Sequence, residues 1–158
     1  MDVLVNNAGI ARNFLKPWTE GDDIKSFQQR LWNTGTPEEF SRTLDTNATS
    51  VYYTTVAFLE LLHKGNARRC STQPTSQVIT ISSGAAFRRD ARVVSLSYSM
   101  SKAAVTQLGK TLANLLAPCK IRSNIIAPGI FPSGSYYFYF YLNSTSGTLI
   151  CATLDDFL

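Results

Sequence analysis

The chain has 158 residues, 44% hydrophobic and 16% charged, with a formal net charge of +4. That length fits one domain with a sizeable buried core. The charge is scattered, and the pairs Arg68-Arg69 and Arg88-Arg89 read as solvated surface without the basic and aromatic interleaving of a nucleic-acid face. No apolar run approaches the ~18 residues of a membrane span, and no secretion leader is visible. Cys70, Cys119 and Cys151 are odd in number and widely spaced. They suggest reduced thiols, a cytoplasmic location and no metal site.

In chain order, Val3 to Val5 reads as a short apolar strand, followed by Asn6-Asn7-Ala8-Gly9. Residues 10–35 form a long polar connection, with a short helix predicted near Asp22 to Leu31. Thr36-Pro37-Glu38-Glu39 is a helix start, with a threonine cap, proline in the first turn and acids beside it. The apolar stripe of that helix runs through Phe40, Leu44, Val51, Phe58 and Leu61-Leu62, and Gly65 is its predicted end. Asn47 falls on this stripe, where an amide needs a partner. His63, near the helix end, reads as a dipole contact.

Gln77 to Ile81 is a β-branched run that ends in Ser82-Ser83-Gly84 and reads as a buried strand. A second long helix is predicted from about Tyr98 to Leu116, with Val105, Leu108, Leu112 and Leu115 as its stripe and Pro118 beyond its end. Ile121 to Ile126 is a third strand, followed by Ala127-Pro128-Gly129. Three strands that end in small or polar residues, separated by helices, argue for βαβ units and a parallel sheet. Ligands of such sheets bind outside the carboxyl ends of the strands.

Tyr98 and Lys102 carry the most chemical information. They lie four residues apart at a helix start, so they share one face. An ammonium beside a phenol favours its ionised form, which suits proton exchange with an alcohol or carbonyl oxygen.

Asn6-Asn7-Ala8-Gly9, Asn47 in Leu44-Asp45-Thr46-Asn47, Ser83, Tyr98 with Lys102, and Pro128-Gly129 occur in one order. In this the chain resembles the short-chain dehydrogenases/reductases, over Asp2 to about Ser133. The stretch Asn124 to Ser133 is most similar to the 3-oxoacyl-carrier-protein reductases among them. The spacings from Gly9 to Asn47 and from Asn47 to Ser83 are longer than usual. The step from Ser83 to Tyr98 is slightly longer, which suggests extra loop through Arg88-Arg89-Asp90.

The resemblance implies an α/β fold, part of a doubly wound parallel sheet of Rossmann type. It also implies NAD or NADP as cofactor and a small carbonyl or alcohol as substrate. Tyr98 would be the general acid or base and would also contact the cofactor. Lys102 would support its ionisation and bond the nicotinamide ribose. Ser83 would hold the substrate oxygen, and Asn47 a water linking Lys102 to solvent. Pro128 and Gly129 would shape the backbone at the nicotinamide, with Asn6, Ala8 and Gly9 beside the cofactor. The two long helices would form a homo-oligomer interface.

The family's glycine-rich turn, T-G-x-x-x-G-x-G, does not occur in these residues. The chain resembles the family from its fourth strand onward, so the first three strands and the last are expected to be missing. Residues 1–133 read as the C-terminal part of the domain. Residues 134–158, with six consecutive aromatics from Tyr136 to Tyr141, read as a divergent tail. Such a fragment is expected to be inactive alone. The alternative is a non-enzymatic remnant that associates with a full-length relative.

Overall fold

A computed structural model describes residues 1–89 and 95–129. The tail 134–158 and part of the loop after Arg89 lie outside the described residues, as does Cys151. Three parallel strands form the sheet: β1 (Val3–Asn6), β2 (Gln77–Ile81) and β3 (Arg122–Ile126), in spatial order β1-β2-β3. The register pairs Asn6 with Thr80 and Thr80 with Ile125, so all three strands end at one level. The α/β parallel architecture expected from the strand and helix pattern is present.

The helices are α1 (Ile24–Trp32), α2 (Pro37–Leu44), α3 (Ser50–Ala67) and α4 (Leu96–Leu115). Each start has a local cause. The Asp23 carboxylate accepts the amides of Lys25 and Ser26 and caps α1. Thr36 and Glu39 form a reciprocal capping box on α2, with Pro37 in the first turn. The Ser95 hydroxyl accepts the Tyr98 amide and caps α4.

Between α2 and α3 the helix does not break. It widens into a π-helical turn, Asp45–Thr49, in which the Ser50 amide reaches back to the Asp45 carbonyl. Such a turn inserts one residue into the helical repeat. It carries Asn47 inward, 1% exposed.

α3 and α4 pack on one face of the sheet. Leu62 of α3, Val78 of β2, Leu112 and Leu116 at the end of α4, and Ile121 make the core. Fully burying each such side chain stabilises by about 1.5–3 kcal/mol. Gly109 brings α4 onto β3, because a Cβ there would stand 2.6 Å from Ile125 Cγ1. The Ser123 hydroxyl adds a bond to the Gly109 carbonyl at 3.0 Å.

Three sequence expectations need correction. Gly65 does not end its helix, which runs on to Ala67. Its role is close approach, since a Cβ there would lie 2.1 Å from the Met1 carbonyl oxygen. Phe58, Leu61 and Leu115 are exposed, because the buried faces run through Val51, Thr55 and Leu62 on α3 and through Val105, Leu112 and Leu116 at α4. Arg69 is not simply solvated surface: it pairs with Asp2 at 2.7 Å and holds that carboxyl below the usual range.

Candidate active site

The carboxyl ends of the three strands gather most of the residues singled out in the sequence. Beyond β1, Gly9 lies where a Cβ would stand 3.3 Å from Asn47 Oδ1 and 3.5 Å from Lys102 Nζ. Asn47 and Lys102 therefore flank the same short stretch of backbone. Next in the chain, the Ile10 amide donates to Asn47 Oδ1 at 2.8 Å, and Asn47 Nδ2 donates to the Ile10 carbonyl at 2.8 Å. The second Nδ2 hydrogen goes to Ser101 Oγ at 2.8 Å. Both amide hydrogens are thus engaged, and one lone pair of Oδ1 remains to receive a further donor.

Ser101 carries this contact into α4. Its hydroxyl donates to the Tyr98 carbonyl at 2.7 Å. Lys102 is 4% exposed and its Nζ donates to the Ile81 carbonyl at 2.8 Å. Among the described residues no carboxylate pairs with it. Burial alone pushes its ammonium below the ordinary lysine range. The same Nζ stands 5.6 Å from the centroid of the Tyr98 ring, within reach of a cation–π contact.

Ser82 and Ser83 divide two tasks by strand parity. Ser82 continues the helix-facing side of β2, after Val78 and Thr80, and is buried. Its hydroxyl meets the Lys102 carbonyl at 3.0 Å and Thr106 Oγ1 at 2.6 Å, fastening α4 to the strand end. Ser83 is half-buried, and its Oγ accepts the Ala85 amide at 3.1 Å. That bond uses an acceptor site and leaves the hydroxyl proton for another oxygen.

The end of β3 closes the group. The Ser82 amide donates to the Ile126 carbonyl at 2.7 Å, and the Gly84 amide to the Pro128 carbonyl at 2.8 Å. Pro128-Gly129 is thereby held alongside Ser83-Gly84. Among the described residues, a Cβ at Gly129 would meet nothing within 4 Å. Asn6 serves the frame: buried, it donates to Thr55 Oγ1 at 3.2 Å. Ala8 is exposed on the loop between Asn6 and Gly9.

A cavity of about 450 Å³ lies at the opposite, amino-terminal end of the sheet, lined by Asp2, Arg68, Arg69 and Gln73. Asp2 and Arg69 neutralise each other there. Among the described residues no cluster of metal-ligating side chains occurs, and no helix is long and apolar enough to cross a membrane.

A family model of short chain dehydrogenases matches residues 1–135. The chain belongs to that family. It is 38% identical, over 133 residues, to the short-chain dehydrogenase/reductase PhomF' of Diaporthe leptostromiformis, covering 84% of this chain and 44% of that one. It is 33% identical over 133 residues to a rhamnolipids biosynthesis 3-oxoacyl-[acyl-carrier-protein] reductase of Pseudomonas aeruginosa, with the same two coverages.

Among solved structures, the Pseudomonas aeruginosa RhlG/NADP active-site complex matches with a TM-score of 0.65 at 28% identity, covering 87% of this chain and 46% of that one. A 3-oxoacyl-[acyl-carrier protein] reductase with bound NAD from Brucella melitensis matches with a TM-score of 0.57 at 28% identity, covering 81% and 41%. This short-chain dehydrogenase chain spans less than half the length of the curated relatives named here.

Ser101, Ser97 and Asn13 also belong to the site's frame, and residue-type reasoning passed over them. Ser97 and Ser101 lie inside the Tyr98–Lys102 neighbourhood, and helical spacing places Ser97, Ser101 and Thr106 on its inward side. Asn13 carried no such signal, because it sits in an irregular connection.

Proposed function

We propose that this chain carries the proton-transfer residues and the nicotinamide end of an NAD(P)-dependent oxidoreductase site. The substrate class is a small carbonyl or alcohol. The observation that carries the reading is the convergence of Ser83, Lys102, Asn47 and Pro128-Gly129 at the carboxyl ends of three parallel strands, with Tyr98 one helical turn before Lys102. Two solved relatives named for bound NAD and NADP support a nicotinamide cofactor. Gly9 keeps the space beside Lys102 Nζ clear of a Cβ, and no described residue fills the space a Cβ would take at Gly129, so the residues fit that group.

When bound, the nicotinamide supplies or accepts the hydride. The chain's own residues manage the oxygen and its proton. Ser83 donates its free hydroxyl proton to the substrate oxygen and fixes its place. Tyr98 gives a proton to that oxygen in reduction and takes it in oxidation. Lys102, desolvated and close to the ring, supports the ionised phenol and reaches the ribose. Asn47 Oδ1, beside Lys102 Nζ across Gly9, holds a water that returns protons from solvent. Pro128, Gly129, Asn6, Ala8 and Gly9 form the backbone wall.

A second reading is a non-enzymatic subunit that associates with a full-length relative. It is favoured by the exposure of Val3 and Val5 on β1, 43% and 54%.

The deciding experiment uses the natural protein purified from its source cells. Saturable NADH or NADPH binding is expected, with turnover of a carbonyl panel. Tyr98→Phe is expected to cut kcat by about 10²-fold or more, with cofactor binding weakened but still saturable. Unchanged turnover in Tyr98→Phe would sink the enzymatic reading. Absence of cofactor binding together with stable association would establish the second.

A further inference from the structure

Asn13 lies in the connection after β1, 84 residues from Ser97, yet it touches the start of the helix that carries Tyr98. It is 8% exposed and has φ 59°, a left-handed backbone that asparagine tolerates better than most residues. Its Oδ1 accepts from Ser97 Oγ at 2.8 Å. Its Nδ2 donates to Glu39 Oε2 at 3.0 Å and to the Thr34 carbonyl at 3.3 Å. Gly35 clears the room, since a Cβ there would stand 1.8 Å from Nδ2.

The neighbours of Asn13 reinforce the contact. The Arg12 carbonyl accepts from Ser95 Oγ and lies 3.2 Å from Ser97 Oγ, sharing that hydroxyl's single proton with Asn13 Oδ1. Phe14 pairs with Ser95 as an antiparallel bridge. Ser95 is the residue that caps α4 through the Tyr98 amide. The first turn of a helix lacks intrahelical partners for its amides and frays unless something outside holds it. Here residues 12–14 do so, and Asn13 ties that turn to Glu39, at the start of the helix leading to Asn47.

We infer that Asn13 is a positioning residue for Tyr98, acting through Ser97 to fix the first turn of α4. This rests on the reading of Tyr98 as the proton-transfer residue. Its test is independent of turnover.

The full chain is labelled at the tyrosine ring carbons, and the Tyr98 signal is assigned with Tyr98→Phe. Asn13→Gly keeps the backbone conformation and removes only the side chain's bonds. Asn13→Gly and Ser97→Ala are each expected to displace the Tyr98 ring signal by more than a linewidth. The double variant should move it no further than the larger single change. Asp22→Ala, which breaks the Arg30 pair in the same connection, should leave the signal in place. A Tyr98 signal unmoved in both single variants, with Tm lowered, would reduce Asn13 to a structural role and overturn the inference. Additive displacements would also overturn it, because Asn13 would then act without Ser97. If Asn13→Gly does not fold, Ser97→Ala alone decides, and an unmoved signal refutes the inference. A failed reductase reading appears separately, as turnover indifferent to Tyr98→Phe.

Discussion

Lys102 holds an ammonium in a place that water barely reaches, with the Ile81 carbonyl as its hydrogen-bond partner among the described residues. Burial lowers its proton affinity in the folded chain below the ordinary lysine value of 10.5. Between the folded and the ordinary value, the unfolded chain binds more protons than the folded one. Stability from this residue therefore rises with pH through that window, and the full desolvation cost applies below it. Lys102→Met removes the titration. The stability of the wild type relative to Lys102→Met should thus climb as the pH is raised toward 10.5, measured by urea unfolding at several pH values. A flat difference would mean that Lys102 is solvated. Asn47 has a different economy. Its side chain makes three hydrogen bonds inside the fold, so its frame-holding role is fully met whether or not a water joins Oδ1.

At the scale of elements, α4 governs the site, because it carries Tyr98, Ser101 and Lys102 and rests on β3 through Gly109. Replacing Gly109 by alanine gains about 1 kcal/mol of helix propensity. It also drives a Cβ into Ile125 at 2.6 Å, where overpacking costs about 1–3 kcal/mol. Net destabilisation is expected on thermal unfolding. The penalty should shrink when Ile125→Ala is the background, since the clashing atom is then gone. Much of this layout was legible beforehand. Thr36-Pro37-Glu38-Glu39 marked a helix start by its chemistry, and the β-branched run before Ser82 marked β2. What escaped was the width of the buried face. Val51, Phe58 and Leu62 share one side of α3 at the 3.6-residue count, yet Phe58 is 37% exposed and Leu61 47%, while Thr55 is buried. Gly65 was read as a stop because close backbone approach leaves no trace in local sequence. Ser82 and Ser83 were separable only once the parity of β2 was known.

At the scale of the whole molecule, α3 and α4 cover one face of the sheet. On the other face and at the β1 edge, Val3, Val5 and Ile126 are 43%, 54% and 49% exposed. An apolar edge strand is a template for another chain. Val5→Lys is expected to weaken self-association of the purified 158-residue chain in sedimentation velocity, with no loss of helical signal. Association unchanged by Val5→Lys would place the contact elsewhere, such as the outer faces of α3 and α4. The site itself is closed by links between distant parts of the chain: Ile10 with Asn47, 37 residues apart; Asn47 with Ser101, 54 apart; and Asn13 with Ser97, 84 apart. Contacts so remote in sequence form only after large loops have closed, and that entropy must be spent first. The sheet is closed over similar distances, since Val3 pairs with Gln77, Gln77 with Arg122, and Leu62 packs with Leu112. The candidate site and the sheet therefore draw on the same loop closures, and residues 9–13 acquire their partners only where the strands and α4 have already been brought together.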